Sequence, residues 1–81
     1  MNAIQAAPGL RIEDAGHLLY AYVAGEQVAA LDFTASGDNV TVNVIYVKPC
    51  WRRQGIATAL TRHLLRRYPH AAIGADRTYT P

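Results

Sequence analysis

The chain has 81 residues, of which 51% are apolar and 17% charged, with a formal charge of +2 and a single cysteine, Cys50. That length sets one domain spanning 1–81, which buries only about 60% of its unfolded surface, and the apolar share excludes a disordered tail. No stretch approaches the roughly 20 apolar residues of a membrane-spanning helix, and a lone cysteine with no Cys/His set at zinc spacing excludes an internal disulfide and argues against a structural metal.

Met1 to Pro8 lack the basic and long apolar regions of a signal peptide, so a cytoplasmic protein is expected. The charge is unevenly divided. Residues 1–47 carry one cation, Arg11, against the five anions Glu13, Asp14, Glu26, Asp32 and Asp38, a net −4. Residues 48–81 carry the seven cations Lys48, Arg52, Arg53, Arg62, Arg66, Arg67 and Arg77 against Asp76, a net +6. An anionic partner is therefore expected at the second half.

In chain order, Leu10-Arg11-Ile12 reads as a short strand before the acidic turn Glu13-Asp14-Ala15-Gly16. Residues 17–24 are aromatic and aliphatic and stop at Gly25, while 27–34 alternate, with Ala29, Leu31 and Phe33 on one face and Asp32 and Thr34 on the other. A hairpin around Ala24-Gly25-Glu26 follows. Ser36-Gly37-Asp38-Asn39 is a second turn, so 40–48 returns antiparallel. In that strand Val40, Val42 and Val44 hold the even positions and Ile45 and Val47 the odd ones. Two readings account for the change of phase: an inserted bulge residue near Val44-Ile45, or a strand buried on both faces that needs no alternation.

A helix is expected over Gln54–Tyr68, with Ile56, Ala57, Leu60, Leu64, Leu65 and Tyr68 forming one apolar stripe. Arg66 and Arg67 suit its carbonyl end, and Pro69 stops it. Ala71–Ala75 reads as a short parallel strand reached by this crossover. The fold class is α+β: a mainly antiparallel sheet of three to four strands, one amphipathic helix on a face, and a short parallel strand after it.

Between strand and helix lies Val47-Lys48-Pro49-Cys50-Trp51-Arg52-Arg53-Gln54-Gly55-Ile56-Ala57. A strand that enters a helix through a basic loop with one placed glycine leaves backbone N–H groups pointing the same way, an anion cradle. Glycine in a first helical turn costs about 1 kcal/mol against alanine, and close ligand approach is the usual reason to accept it. The Walker A and dinucleotide loops are excluded because each needs further glycines.

The loop resembles the acyl-CoA loop of the GNAT superfamily of N-acetyltransferases, Arg/Gln-x-x-Gly-x-Gly/Ala after a strand ending Val-x-Pro. Arg52, Gly55 and Ala57 match the loop, Val47 and Pro49 match the strand end, and Trp51 sits where the family often has an aromatic residue. The resemblance covers about 10–75 and implies acetyl-CoA as co-substrate and an amine as acceptor. It implies that the backbone of Ile45, Tyr46 and Val47 holds the pantetheine amides beside a bulge. It also implies that Arg52, Arg53, Gln54, Gly55, Ile56, Ala57 and Thr58 hold the diphosphate. Tyr79 stands where many such enzymes place the general acid, Thr41 where many carry the basic Glu, and 69–81 lack the cysteine of some minimal relatives. A non-catalytic acyl-CoA-binding or partner-binding module is the alternative.

The remaining residues read blandly. Cys50 is a turn residue. His17, His63 and His70 are structural or exposed, and the sequence places no carboxylate or serine beside them. The Arg62/Arg66/Arg67 face is explained by helix-end neutralisation, and the acidic first half opposes nucleic-acid binding. A short chain with an uncovered sheet face is expected to form a homodimer, with Tyr20, Tyr22 and Phe33 as contacts.

Overall fold

The computed structural model describes residues 9–75. Five strands, β1 (Leu10–Ala15), β2 (Leu18–Val23), β3 (Glu26–Ser36), β4 (Asn39–Val47) and β5 (Ala72–Ala75), form one sheet in the order β1-β2-β3-β4-β5, with a single helix, α1 (Ile56–Arg67), between the last two. The first four strands pair antiparallel, and β5 pairs parallel with β4. Ala24 and Gly25 both take positive φ, 52° and 82°, which is the backbone of a tight hairpin turn that matches strand twist. Among the described residues, no helix is long and apolar enough to cross a membrane.

β1 runs farther than its sequence suggests. Glu13, Asp14 and Ala15 pair with Tyr20, Leu19 and Leu18, so the expected acidic turn is strand and the reversal falls at Gly16-His17. A ladder of backbone hydrogen bonds to an apolar neighbour outweighs the turn preference of Asp. α1 begins at Ile56, two residues after the expected Gln54, because Gly55 is its N-cap in a left-handed conformation.

Across β2, β3 and β4 the residues Leu19, Ala21, Ala29, Leu31, Phe33, Val40, Val42, Ile45 and Val47 are buried, and Ile56, Leu60 and Leu64 of α1 complete the same core. The phase change in β4 is a bulge. Asp32 pairs with Val44 and the next residue, Phe33, pairs with Val42, so Asn43 is the extra residue. Val40 and Val42 before it and Ile45 and Val47 after it are buried, while Asn43 is half-buried and Val44 exposed. The alternative of a strand buried on both faces is thereby corrected. A second register shift makes Val28 the extra residue in β3; it is fully buried, and its carbonyl accepts the Lys48 N–H at 2.9 Å.

Phe33 is also in this core, 2% exposed and edge-on to Tyr68 at 5.7 Å, so it is corrected as a dimer contact. Tyr20 and Tyr22 are half-buried on the face away from α1. Leu65, expected in the apolar stripe, is 47% exposed. Asp14 ties the edge strand to the helix, its Oδ1 accepting from Arg67 at 3.0 Å and lying 3.0 Å from His63 Nε2.

Leu60, with no exposed surface, is expected to cost about 2–5 kcal/mol on replacement by alanine, whereas Leu65→Ala should stay within roughly 0.5 kcal/mol. Urea unfolding of the two variants checks the contrast. Equal midpoints would show that α1 is not seated on the sheet by Leu60.

Candidate functional site

The end of β4 and the start of α1 meet in a short irregular loop. Lys48 N–H points to β3, where it donates to Val28, so the alternation of a strand turns the N–H and C=O groups of Val47 and Ile45 to the opposite edge. On that edge β5 pairs only with Asn39, Val40, Thr41 and Val42. Beyond Val42, among the described residues, no strand pairs with it. The bulge at Asn43 directly follows the last of these pairs among the described residues.

After β4 the chain makes one 3-10 turn, Pro49–Trp51, closed by Trp51 N–H to Lys48 O at 2.8 Å. Arg52 then folds back and its Nε donates to Val47 O at 2.9 Å. This bond occupies the last outward carbonyl of β4 and fixes the loop against the strand. Arg53 has φ 65° and Gly55 φ 77°, two left-handed residues within three positions. For Gly55 that conformation is unstrained, while for Arg53 it costs roughly 1–2 kcal/mol. The surrounding loop holds it there.

Gly55 has no side chain with which to cap α1, and the first intrahelical bond runs from Ala59 N–H to Gly55 O at 2.9 Å. The amides of Ile56, Ala57 and Thr58 are therefore uncapped donors at the positive end of the helix dipole. No acidic residue lies in the first turn. A cleft of about 380 Å³ opens beside these amides, lined by Val47, Trp51, Arg52, Arg53, Gly55, Ile56, Ala57 and Thr58. Among the described residues neither Arg52 nor Arg53 has a carboxylate partner, whereas nearby Lys48 is paired with Glu26 at 3.0 Å. The arrangement offers oriented N–H donors, two arginines and an apolar wall, which together suit an extended anion with an apolar or amide-bearing arm.

Most residues expected at the site converge on this cleft: Val47, Arg52, Arg53, Gly55, Ile56, Ala57 and Thr58 line it. Gln54 is exposed and does not. Ile45 brings only backbone to this edge, since its side chain is in the core, and Tyr46 brings neither, its backbone facing β3 and its side chain, 52% exposed, lying on the other sheet face. Trp51 was not among the expected binding residues; its signal is an aromatic two residues after the strand-ending proline. Tyr79 lies outside the described residues. Thr41 is half-buried on β4. Two of the histidines read as structural or exposed meet carboxylates from far along the chain, His17 through strand pairing and His63 through the packing of α1 on the sheet. His17 Nδ1 is 3.4 Å from Asp32 Oδ1, and His63 meets Asp14.

The chain matches the model of an acetyltransferase (GNAT) domain over residues 14–80. Among solved structures it is similar to a GNAT-family acetyltransferase from Streptococcus pneumoniae, at 23% identity and a TM-score of 0.67, over 78% of this chain and 49% of that one. It is similar to a ribosomal-protein-alanine N-acetyltransferase from Brucella melitensis, at 26% identity and a TM-score of 0.62, over 75% of this chain and 50% of that one. An aminoglycoside acetyltransferase from an uncultured soil metagenomic sample matches at 26% identity and a TM-score of 0.59, over 73% of this chain and 45% of that one. The chain thus spans about half the length of these solved structures. No curated protein matches it.

The left-handed φ of Gly55 makes a stability prediction that is independent of any ligand. Gly55→Ala should lose about 1–2 kcal/mol, and Arg53→Gly should gain stability or leave it unchanged, since glycine removes the strain at φ 65°. Thermal unfolding of the two variants reads both signs.

Proposed function

The chain belongs to the GNAT acetyltransferase family, and from that membership and the loop geometry we propose that it binds acetyl-CoA at the Arg52–Thr58 cleft and transfers the acetyl group to an amine. The observation that carries the reading is the uncapped start of α1 at a left-handed Gly55, set beside a strand edge whose Ile45 and Val47 backbone groups face outward. The amides of Ile56, Ala57 and Thr58 receive the diphosphate, with Arg52 and Arg53 supplying the positive field. Val47 N–H and the Ile45 backbone hold the amide-bearing arm along β4, and Tyr46 contributes only its place in that strand. Gln54 stands beside the cleft. A strand N–H that polarises the thioester carbonyl stabilises the developing oxyanion.

In the reaction a neutral amine attacks the carbonyl carbon, a C–N bond forms, the C–S bond breaks, and the proton lost by nitrogen passes to the leaving thiolate. Tyr79 is proposed as the group that delivers that proton. With threonine at position 41, the amine enters already neutral. The rate is then expected to climb with pH toward the pKa of the amine, about 10.4 for a lysine-like acceptor. A well-defined limb near neutrality would require an enzyme base and overturn this step.

Calorimetric titration with acetyl-CoA tests the binding. The parent should bind, and Gly55→Val, with a β-branched side chain at φ 77° beside the amides, should lose binding while its circular dichroism stays close to that of the parent. Equal binding by Gly55→Val would reject the cleft as the site. Threonine at position 41 also favours the second reading, a module that binds acyl-CoA without turnover, and binding without acetylation of any member of an amine panel would select it.

A further inference from the structure

We propose that the sheet face away from α1 carries a second binding site, a trough along β3 that holds an aliphatic diamine or polyamine with one ammonium on Asp32. β3 lies between β2 and β4, and its register on both sides fixes the walls. Ala30 pairs with Tyr20 on one side and Tyr46 on the other, and Asp32 pairs with Leu18 and Val44. Residues opposite one another share a face, and the partners on the alternate positions, Leu19, Leu31 and Ile45, are all in the helix-side core. Tyr20 and Tyr46 therefore stand on the outer face, about two strand spacings or roughly 10 Å apart. Between them alanine leaves the floor low.

Asp32 lies one step further along the same floor, its side chain 35% exposed. Asn43, the bulge residue, donates through Nδ2 to Asp32 Oδ1 at 3.3 Å and to Thr34 Oγ1 at 2.9 Å, while His17 Nδ1 is 3.4 Å from the same Oδ1. Both contacts fall on Oδ1. Oδ2 has no side-chain partner among the described residues. A half-exposed carboxylate between a leucine and a valine, with two tyrosine rings next along the trough, suits an ammonium on an apolar stem. The carboxylate takes the charge, and the ring faces add cation–π attraction.

On this face Glu13 extends the Tyr20 row outward but is paired with Arg11, which lies over the Tyr22 ring at 5.1 Å, so Asp32 is the carboxylate of this face without a lysine or arginine partner among the described residues. The outward edge of β4 lies beyond Val44 as seen from Asp32, more than one strand spacing of about 4.8 Å away. The ammonium held at Asp32 therefore lies away from that edge, and its binding does not rest on the acetyl-transfer reading.

Calorimetry with cadaverine, against the uncharged diol of the same chain length, tests the trough without acetyl-CoA. Cadaverine should bind and the diol should not. Asp32→Asn, which keeps the shape and the hydrogen bonds of the carboxyl group, should weaken cadaverine at least about tenfold and leave acetyl-CoA affinity unchanged. Tyr20→Leu should also weaken cadaverine by removing one aromatic wall. Equal binding by Asp32→Asn, or equal binding of the diol, overturns the site. So does sedimentation showing a dimer that Tyr20→Leu dissociates and that takes up no cadaverine, since a second copy would then occupy the face. Asp32-dependent cadaverine binding with no acetyl-CoA binding would instead leave the trough standing and remove the transferase reading.

Discussion

One extra residue in β4 sets the rest of the molecule. Without Asn43 the strand would keep a single phase, and either Val40 and Val42 or Ile45 and Val47 would face away from α1. Inserting it keeps all four on the helix side, which a chain of this length needs because the core has few other residues to draw on. Among the described residues the pairing with β5 runs as far as Val42, just before the insertion, and the backbone of Ile45 and Val47 beyond it faces an edge without a strand partner. It also turns the Asn43 amide to the outer face, where it fixes Asp32 and Thr34. One irregularity thus completes the core and organises the opposite face.

The two chemical surfaces follow from how charge is distributed along the chain. The acidic half supplies β1 to β4, and the basic half supplies the loop and helix, so the crossover from β4 to α1 is also a crossover in sign. Within the basic half, the cations differ in availability. Arg67 is committed to Asp14 and lies 5.7 Å from the Phe33 ring and 5.4 Å from that of Tyr68, and Lys48 is paired with Glu26. Arg52 spends its Nε on Val47 O, and Arg53 has no carboxylate partner among the described residues. Arg62 and Arg66 also have no carboxylate partner among the described residues but lie further along α1, so the cations free at its start are Arg52 and Arg53, where the helix dipole has the same sign.

How much of this was legible in the sequence depends on whether a feature is local. The turn at Ala24-Gly25, the Ile56/Leu60/Leu64 stripe and the stop at Pro69 are written in adjacent residues, and the structure has them. The bulge was half legible: the change of phase between Val42 and Ile45 is visible, but only the pairing of Asp32 and Phe33 with Val44 and Val42 separates a bulge from a doubly buried strand. The loop was legible by its resemblance, and most of the residues so named do surround one cleft. What sequence did not show are the contacts set by strand register and by the seating of α1 on the sheet. His17 with Asp32 and His63 with Asp14 are separated by 15 and 49 positions, and no local signal joins them. Alternation did put Phe33 on one face with Ala29 and Leu31; what the sequence did not show is that α1 covers that face, which leaves Phe33 no surface for a dimer contact.

The loop also shows why a small fold can present an organised site. Flexible loops lose binding energy to ordering, by about 0.5–1.5 kcal/mol for each side chain immobilised. Here the ordering is done during folding. Trp51 and Arg52 are tied back through backbone bonds to Lys48 and Pro49, and the Arg52 side chain reaches the strand end at 2.9 Å. Gly55 takes a conformation natural to it, so the uncapped amides of Ile56, Ala57 and Thr58 are fixed beside the cleft without a ligand to hold them. The left-handed Arg53 is the one local cost, and it falls on the residue whose side chain has no carboxylate partner among those described. A backbone held in a sparsely populated conformation persists only when its surroundings over-determine it. At this position the surroundings are the 3-10 turn on one side and the helix start on the other, so the strain that aims Arg53 is sustained by the same elements that present the amides.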